Sequence, residues 1–325
     1  MLTYIVRRIL YAVPILIGVN LITFMLFFVV NTPDDMARMQ LGAKYVTPEA
    51  IEKWKIERGY DKPLLLNEDR GGWKRFTETI FFEKSIAMFV FDFGQSDDGR
   101  DIGFEIKSRM LPSLAIALPV FVLGLVVYIT CALIMVFFRA TYIDFWGLVL
   151  CVALMSISSL FYIIVGQFLM SKLWHLVPIS GFGTGLDVIK FLVLPVVIGV
   201  ISSAGANTRW YRTIFLEEMG KEYVRTARAK GLSEHLVLFR HVLKNAMIPI
   251  LTGAVVVVPL LFLGSLIVES FFGIPGLGSY TIDAINSQDF AVVRAMVFLG
   301  SVLYIIGLIL TDISYTLVDP RIRLQ

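Results

Sequence analysis

Residues that could bind a partner are concentrated at positions 217–232 of this 325-residue chain. Acidic residues begin this segment, basic residues end it and Gly231 follows, an order that suits the helix dipole and a left-handed cap. Tyr223, Ala227 and Gly231 lie four residues apart and would share one helix face. Because that face is small apart from one aromatic ring, another protein could approach its backbone closely. The segment therefore predicts a docking helix.

A second helix is predicted directly after this segment. Ser233 can cap it, and Leu236, Phe239 and Leu243 recur along it at helical spacing. The predicted unit is a helix, a glycine turn and a second helix. A basic amphipathic loop lying on anionic lipid headgroups is the alternative. The small-residue face favours docking, since a lipid-binding helix would expose bulky apolar residues there.

The sequence lacks the motifs of the common catalytic sites. Gly220 and Lys221 have neither the upstream glycine nor the following Ser or Thr of a phosphate-binding loop, and the zinc-protease and nucleophile-elbow patterns do not occur. We therefore expect no enzyme activity and no cofactor, so any uphill transport must draw its energy from a partner. The remaining metal-ligating residue types are scattered and favour packing over a metal site: His175, His235, His241, Cys131 and Cys151.

The composition requires a membrane. Ala, Val, Ile, Leu, Met, Phe, Trp, Tyr and Cys make up 57% of the chain, and charged residues only 17%, against about 25% in soluble proteins. Residues 31–105 hold 11 basic and 15 acidic residues, and residues 209–245 hold eight basic and four acidic ones. We call residues 209–245 the basic loop. The charges therefore lie in loops between apolar stretches.

Six apolar stretches free of Asp, Glu, Lys and Arg are long enough, or nearly so, to span a bilayer. Short loops follow the positive-inside bias, and the two short loops that would be outside, about residues 172–187 and 271–291, contain one basic residue, Lys172. Both termini are therefore predicted to be cytoplasmic. The stretches are residues 9–30, 111–138, 145–171, 191–208, 246–268 and 295–311.

Residues 222–232, followed by residues 241–246, resemble the signature loop of permease subunits of bacterial binding-protein-dependent ABC importers. The likeness is to the dipeptide, oligopeptide and nickel branch. Shorter strings that resemble the same family follow in the family's order, at residues 7–14, 59–64, 92–96, 178–181, 269–278, 289–290 and 312–323. In that family the signature loop forms a coupling helix that sits in a cleft of the ATPase subunit. The resemblance assigns this coupling role to Glu222, Tyr223, Arg225, Thr226, Ala227, Ala229 and Gly231.

The resemblance implies an all-α polytopic membrane protein with six transmembrane helices, the type I ABC importer permease fold and a long periplasmic loop between spans one and two. Residues 1–30 would be the N-terminal arm and first span, residues 31–110 the periplasmic loop, and residues 111–325 the permease core with the coupling loop. The protein would lie in the bacterial inner membrane.

The implied partners are a second, usually non-identical permease, two cytoplasmic ATPase subunits that bind ATP and Mg, and a periplasmic or lipid-anchored solute-binding protein. Membrane lipid surrounds the chain and no nucleic acid is involved. The implied function is to form half of the pathway for peptides or peptide-like solutes. A permease for nickel or another small solute is one alternative, and an ATPase-independent channel or receptor-like protein is another.

Residues outside the signature loop also carry expectations. Glu269 and Asp312 flank the last two spans and could be pathway groups, but the favoured interpretation is interfacial: Glu269 at the outer surface, and Asp312 near the inner one, where Arg321 or Arg323 could pair with it. The aromatic run at residues 81–82 and 86–93 could anchor the long loop at the interface or receive a partner. The resemblance places four residues in the outer gate region: Glu269, Pro275, Gly276 and Gly278.

Overall fold

A computed structural model describes residues 2–42, 46–68, 70–183 and 185–318 of the chain. Regular structure in these residues is helical, and their isolated β pairing is one antiparallel bridge between Gln95 and Asp101. The all-α prediction is confirmed. In chain order the α-helices are α1 (Leu2–Phe24), α2 (Pro33–Leu41), α3 (Pro48–Arg58), α4 (Lys74–Thr77), α5 (Ile102–Phe137), α6 (Tyr142–Ser156), α7 (Ser159–Gly166), α8 (Val188–Met219), α9 (Glu222–Ala229), α10 (Glu234–Leu236), α11 (Leu243–Leu260), α12 (Leu266–Phe272), α13 (Leu277–Ser287) and α14 (Phe290–Val318).

Shorter helical turns extend or join several of these helices. Because a π-helical turn continues α1, α7 and α10, each of those segments is longer than its α-helical part. The π-helical turns are Met25–Val30, Phe82–Ile86, Gln167–Leu173 and Val237–Val242, and the 3-10 turns are Ala87–Val90, Gly185–Asp187 and Leu261–Leu263.

Five helical segments are long and apolar enough to cross a membrane, and a bent pair makes a sixth if it is counted as one span. This agrees with the six spans predicted from the sequence. The five segments are Arg7–Val30, Ile102–Phe137, Val188–Met219, Glu234–Leu263 and Phe290–Ser314, and the bent pair is Tyr142–Ser156 with Ser159–Leu173.

The segment between the first two spans is folded. Thr32 and Asp35 form a capping box at the start of α2, with each backbone N–H bonded to the other side chain at 3.2 Å. Phe28 at the end of the first span is 1% exposed and meets Tyr60 edge-on, with ring centroids 5.3 Å apart. Trp54 of α3 joins the same buried cluster. Apolar packing therefore holds α3 against the end of the first span.

The third span is broken where α6 meets α7, which are bent by 88° relative to each other. Ser158 lies in extended conformation at the break and accepts a hydrogen bond from the Phe161 N–H through its hydroxyl at 3.3 Å. Serine is a favoured residue at a helix N-cap. The break therefore begins a new helix with one of its free N–H groups satisfied.

The fifth span ends earlier than the sequence predicts. The predicted stretch runs to Val268, but the helical segment ends at Leu263 and Gly264 takes a φ of +69°. A backbone in that left-handed region cannot continue a right-handed helix. Residues up to Val268 therefore belong partly to the separate helix α12.

Contacts divide the chain into two compact units. One contains residues up to 109 together with 280–306, and the other contains residues 110–279 together with residues from 307 onward. The first unit holds the aromatic cluster around Phe28. The second has its largest buried cluster where α5, α8, α9 and α11 pack together, with Phe215 fully buried in it. The predicted docking helix belongs to this second unit.

Candidate docking helix and apolar cavity

The predicted docking segment folds as α9 between two turns of the backbone. Lys221 precedes α9 in extended conformation, with φ −72° and ψ 150°. After the helix, Gly231 has a φ of +77°, which glycine adopts at little cost. The predicted glycine turn is confirmed. The helix is shorter than predicted, however, because a turn follows Met219 and so leaves Glu217 and Glu218 at the end of α8.

One face of α9 is buried within the chain itself. Val224 is 0% and Ala227 5% exposed, and both belong to a cluster with Val237, Leu238 and Val242. The prediction that Ala227 lies on a face free for a partner is therefore wrong. A small side chain permits close packing with any neighbour, and here the following helical segment of the same chain takes that place.

The opposite face of α9 is exposed. It presents Glu222, Arg225, Thr226 and Ala229, and Gly231 beyond the helix is also exposed. Arg225 Nη1 donates to Glu222 Oε1 at 2.7 Å, and Thr226 Oγ1 donates to the Glu222 carbonyl at 3.0 Å. Exposed pairs of this kind contribute little to stability. This face is the one that another protein could reach.

Two side-chain contacts fix α9 to its neighbours. Arg228 donates from Nε and Nη2 to the two carboxylate oxygens of Glu234, at 2.7 and 3.2 Å, across the Gly231 turn. Tyr223 donates its hydroxyl to Glu218 Oε2 at 2.6 Å. Burial, with this hydrogen bond as the next cause, raises the pKa of Tyr223 to about 12. The tyrosine is therefore neutral, and a donor, at physiological pH.

The second predicted helix is present and leads into the fifth span. Ser233 occupies its N-cap position, with φ −63° and ψ 149°. The helical segment runs from Glu234 through a π-helical turn into α11. Leu236 and Phe239 are exposed by 46% and 47%, so the buried stripe lies on the adjacent residues that contact α9. The extra residue in a π-helical turn shifts such a stripe from its α-helical spacing.

An apolar cavity of about 750 Å³ lies within the second unit. Side chains of α5, α8, α11 and α12 line it, and most of them are apolar. Ser202, Ser203 and Asn207 of α8 supply polar groups, and among the described residues Glu269 is the only Asp, Glu, Lys, Arg or His in the lining. The sequence signal for it was the pair of small residues Ser202 and Ser203 within an otherwise bulky span. Such residues leave space beside a helix.

Glu269 lies at one end of this cavity and is 1% exposed. Its Oε1 accepts from the Ser265 N–H at 3.2 Å and its Oε2 from the Ser279 N–H at 3.1 Å. Burial raises the pKa of the Glu269 carboxyl, although these hydrogen bonds act in the opposite direction. Glu269 is therefore not an exposed surface residue, because residues 264–279 fold back around its side chain.

Residues 275–278, three of which the resemblance places in the outer gate region, form a turn after α12. Pro275 is exposed there, whereas Gly276 and Gly278 are buried. The Ile274 N–H donates to the Glu269 carbonyl at 2.9 Å, and the Gly276 N–H donates to the Ile274 carbonyl at 2.8 Å. The turn thus brings the start of α13 back to the Glu269 side chain.

A buried ion pair was not anticipated from the sequence. Arg212 Nε donates to Asp144 Oδ1 and its Nη2 to Oδ2, both at 2.8 Å. The two side chains are 17% and 9% exposed. The pair joins the start of α6 to the part of α8 that enters the basic loop. Because the residues are 68 positions apart, no local pattern connects them.

The aromatic run and Asp312 were the remaining residues singled out in the sequence. In the first unit, Phe81 meets Phe24 edge-on at 5.0 Å, while Val90 and Phe91 of the same aromatic run are 77% and 57% exposed. The basic partners suggested for Asp312 lie in residues 319–325, outside the described residues. Within the described part of the chain, no group of three or more His, Cys, Asp or Glu residues could hold a metal ion.

Comparison with known sequences identifies the family. The profile described as "Binding-protein-dependent transport system inner membrane component" matches residues 106–324. A second profile, for the N-terminal part of such membrane components, matches residues 1–92. The chain therefore belongs to the family of membrane components of binding-protein-dependent transport systems.

Similar curated proteins align over nearly the whole chain. A putative peptide transport system permease protein of Brucella abortus (strain 2308) is 30% identical, with 99% of each chain covered. The dipeptide transport system permease protein of Escherichia coli (strain K12) is 29% identical with the same coverage. The di/tripeptide transport system permease protein of Pseudomonas aeruginosa (strain UCBPP-PA14) is 32% identical over 100% of both chains.

Membership of this family defines the class of protein. The chain is a multi-pass membrane protein and the permease subunit of an ABC importer, and it is not itself an enzyme. Such a permease works with a partner permease, an ATPase and a solute-binding protein. The predicted family, fold class and general function are confirmed.

Proposed function

We propose that this chain forms half of the translocation pathway for peptides or peptide-like solutes and that the exposed face of α9 couples the pathway to a partner ATPase. The coupling proposal is supported by the geometry of α9. Its buried face, through Val224 and Ala227, is fixed to the core of the second unit. Its other face, with Arg225 and Ala229, is free to bind. A helix held in this way moves with the helices behind it.

The mechanism is conformational. ATP and Mg would bind to two ATPase subunits, whose closure would displace α9 as a rigid body. The displacement would pass along α8 and along the continuous segment that runs from α10 into the fifth span. Rigid-body movement of packed helices is a common way for a binding event at one site to open another. The permease would then alternate between inward-facing and outward-facing states without making or breaking a covalent bond.

The peptide assignment is supported by the names of the three relatives described above. The cavity of about 750 Å³ falls in the size range of sites for small molecules, roughly 300–1,000 Å³. Its serine and asparagine side chains could bond with peptide groups, while the apolar wall would tolerate varied side chains. A nickel complex is the alternative solute. Purifying the whole transporter and identifying the solute retained by its binding protein distinguishes a peptide from nickel.

Substitution on the exposed face tests coupling. Ala229→Trp places a bulky ring where the ATPase would dock, so we expect recovery of the ATPase with the permease, and solute uptake, to fall by about tenfold or more, as for a lost contact of about 1.4 kcal/mol. Ala50→Trp, on the partly exposed surface of α3, is the matched control and should change neither. Unchanged ATPase recovery and uptake in Ala229→Trp would remove α9 from the docking site.

Uptake measured without the ATPase subunits tests the alternative class, an ATPase-independent channel or receptor. An ATPase-independent channel or receptor would act without the ATPase subunits, so we expect uptake to disappear when those subunits are not co-expressed. Uptake that continues at the same rate in their absence would favour the channel.

The proposed orientation places both termini and the basic loop in the cytoplasm and residues 31–110 in the periplasm. It is supported by the basic residues of the basic loop and by the near absence of basic residues in the short loops on the other side. A phosphatase fused after Gln325 should be inactive, and one inserted near Asp69 active. Both sites lie outside the described residues. The reverse pattern of activities would contradict the proposed orientation.

A further inference from the structure

The carboxylate of Glu269 is the centre of a buried hydrogen-bonded cluster. In addition to the Ser265 and Ser279 N–H groups described above, the Ser113 hydroxyl and the Gly278 backbone lie close to the carboxylate, and both lower its pKa. Ser113 is 0% exposed, and its hydroxyl oxygen accepts from the Leu277 N–H at 2.7 Å. The cluster therefore joins a side chain of α5, the side chain of α12 and the backbone at the start of α13.

This cluster lines one end of the apolar cavity. Ser113, Gly264, Ser265 and Glu269 all line that cavity, and the segment from Gly264 to Ser279 is held there by polar contacts. Hydrogen bonds to an ionised group contribute more than bonds between neutral groups, about 1.5–3 kcal/mol. Removing the charge should therefore weaken the attachment of the whole segment to α5.

The carboxylate is surrounded by groups of the protein itself. An ionised carboxylate offers about four acceptor positions, and two serine N–H groups, one glycine N–H and one hydroxyl already approach it. Space around it is also taken, since a Cβ added at Gly276 would lie 2.5 Å from the Glu269 Cδ and from the Ser113 Oγ. Although Glu269 is the only charged group among the described residues that line the cavity, its contacts are with the protein, so we expect it to hold residues 264–279 and not to bind a solute.

We propose that Glu269 and Ser113 form a latch that holds residues 264–279 against α5 and controls how readily the cavity opens at that end. Glu269 is thus a positioning residue for transport, acting through the loop it holds. The role of the cavity as the solute pathway rests on the proposed function. The latch itself can be measured without knowing the solute.

Thiol labelling of the cavity tests the latch in the purified transporter complex. Ala254 lines the cavity, so Ala254→Cys, with Cys131 and Cys151 replaced by alanine, reports access by a water-soluble maleimide. Glu269→Gln keeps the shape but presents an amide to backbone donors. We expect labelling of Ala254→Cys to become about tenfold faster, the change that a loss of about 1.4 kcal/mol gives.

Two controls separate a latch from general loss of structure. Asp283→Asn removes an exposed carboxylate from α13 and should leave the labelling rate unchanged. Cys151 is buried at 6% exposure, and with only Cys131 replaced it serves as a sentinel for loosening of the second unit. Its labelling should not increase in Glu269→Gln. Equal acceleration at Cys151 and Ala254→Cys, or no acceleration at Ala254→Cys, would each overturn the proposal.

A second substitution tests the same contact from the other side. Ser113→Ala removes the hydroxyl shared by the Glu269 carboxylate and the Leu277 N–H, so we expect faster labelling as well. Because both changes break one latch, the double variant should be no faster than Glu269→Gln alone. Additive effects would show two independent sites instead. Failure of this test leaves the Ala229→Trp result untouched, so the latch and the coupling function can be rejected separately.

Discussion

Arg212 holds Asp144 with two parallel hydrogen bonds, each 2.8 Å long, between α8 and the first turn of α6. The Ala140 N–H also bonds to Asp144 Oδ2, at 3.4 Å. The pair thus fixes the turn between the second and third spans to the end of α8. A displacement of α9 that is passed to α8 would reach α6 through this pair.

Removing Asp144 should be costly because Arg212 would keep a largely buried charge without its partner. Breaking one side of a buried pair costs roughly 3–5 kcal/mol. We expect Asp144→Ala to lower the midpoint of thermal unfolding of the complex clearly. Asp187→Ala, which removes an exposed pair with Lys190 at 2.9 Å, is the control and should cost less than about 1 kcal/mol.

Exchange of the two charges checks that the effect belongs to the pair. The double substitution Asp144→Arg with Arg212→Asp restores opposite charges and should recover part of the stability lost in either single variant. A double variant as unstable as the sum of the two singles would show that the residues act independently.

The Arg228 contact with Glu234 should matter for transmission more than for docking. Arg228→Ala frees α9 from α10 across the Gly231 turn, so we expect less uptake per ATP hydrolysed while the ATPase still co-purifies. Arg240→Ala removes an equal charge from an exposed position of the following helical turn, outside α9, and is the control. Equal uptake per ATP in the two variants would contradict a transmitting role for Arg228.

Close packing of α6 on α8 depends on Gly205. A Cβ at this position would overlap the Cys151 carbonyl oxygen and lie 2.8 Å from the Met155 Cγ. Gly205→Ala should therefore destabilise the protein, although alanine favours a helix by about 1 kcal/mol. Gly18→Ala, where nothing lies within 4 Å, should be neutral or stabilising. The thermal unfolding midpoints of the two variants show whether the steric clash at Gly205 outweighs the gain in helix propensity.

Tyr223 gives a prediction about pH. Its pKa of about 12 lies above the ordinary value of 10.0, so the folded protein retains the phenol proton where the unfolded chain loses it. The stability that Tyr223 contributes should be complete below pH 10 and decline as the pH rises toward 12. Tyr223→Phe cannot ionise and should show a smaller decline in unfolding free energy over that range. Identical profiles would contradict the assignment.

Features set by neighbouring residues could be predicted from sequence. The spans followed from long charge-free stretches, and the Gly231 turn followed from the order of acids, bases and glycine around α9. In these cases the physical cause lies within about 20 residues, the length of a membrane-spanning helix. A short stretch of sequence therefore contains all the information needed to predict these features.

Features set by distant contacts could not be predicted. The small face containing Ala227 is compatible with a partner or with the chain's own core, and only the folded position of Val237 and Leu238 decides between them. Glu269 is predicted to be interfacial because it follows an apolar stretch, but the fold buries it beside Ser113, which is far away in sequence. The ion pair between Asp144 and Arg212 likewise joins residues that are far apart in sequence.

The glycines around Glu269 have a consequence for how the family can vary. Gly264 needs glycine for its backbone φ of +69°, and a Cβ at Gly278 would lie 2.6 Å from the Ser265 backbone. At Gly276, in contrast, the three atoms nearest to an added Cβ all belong to the side chains of Glu269 and Ser113. We therefore expect relatives that lost the acid to have gained side chains at the position of Gly276 first, so that these two positions covary while the other glycines persist.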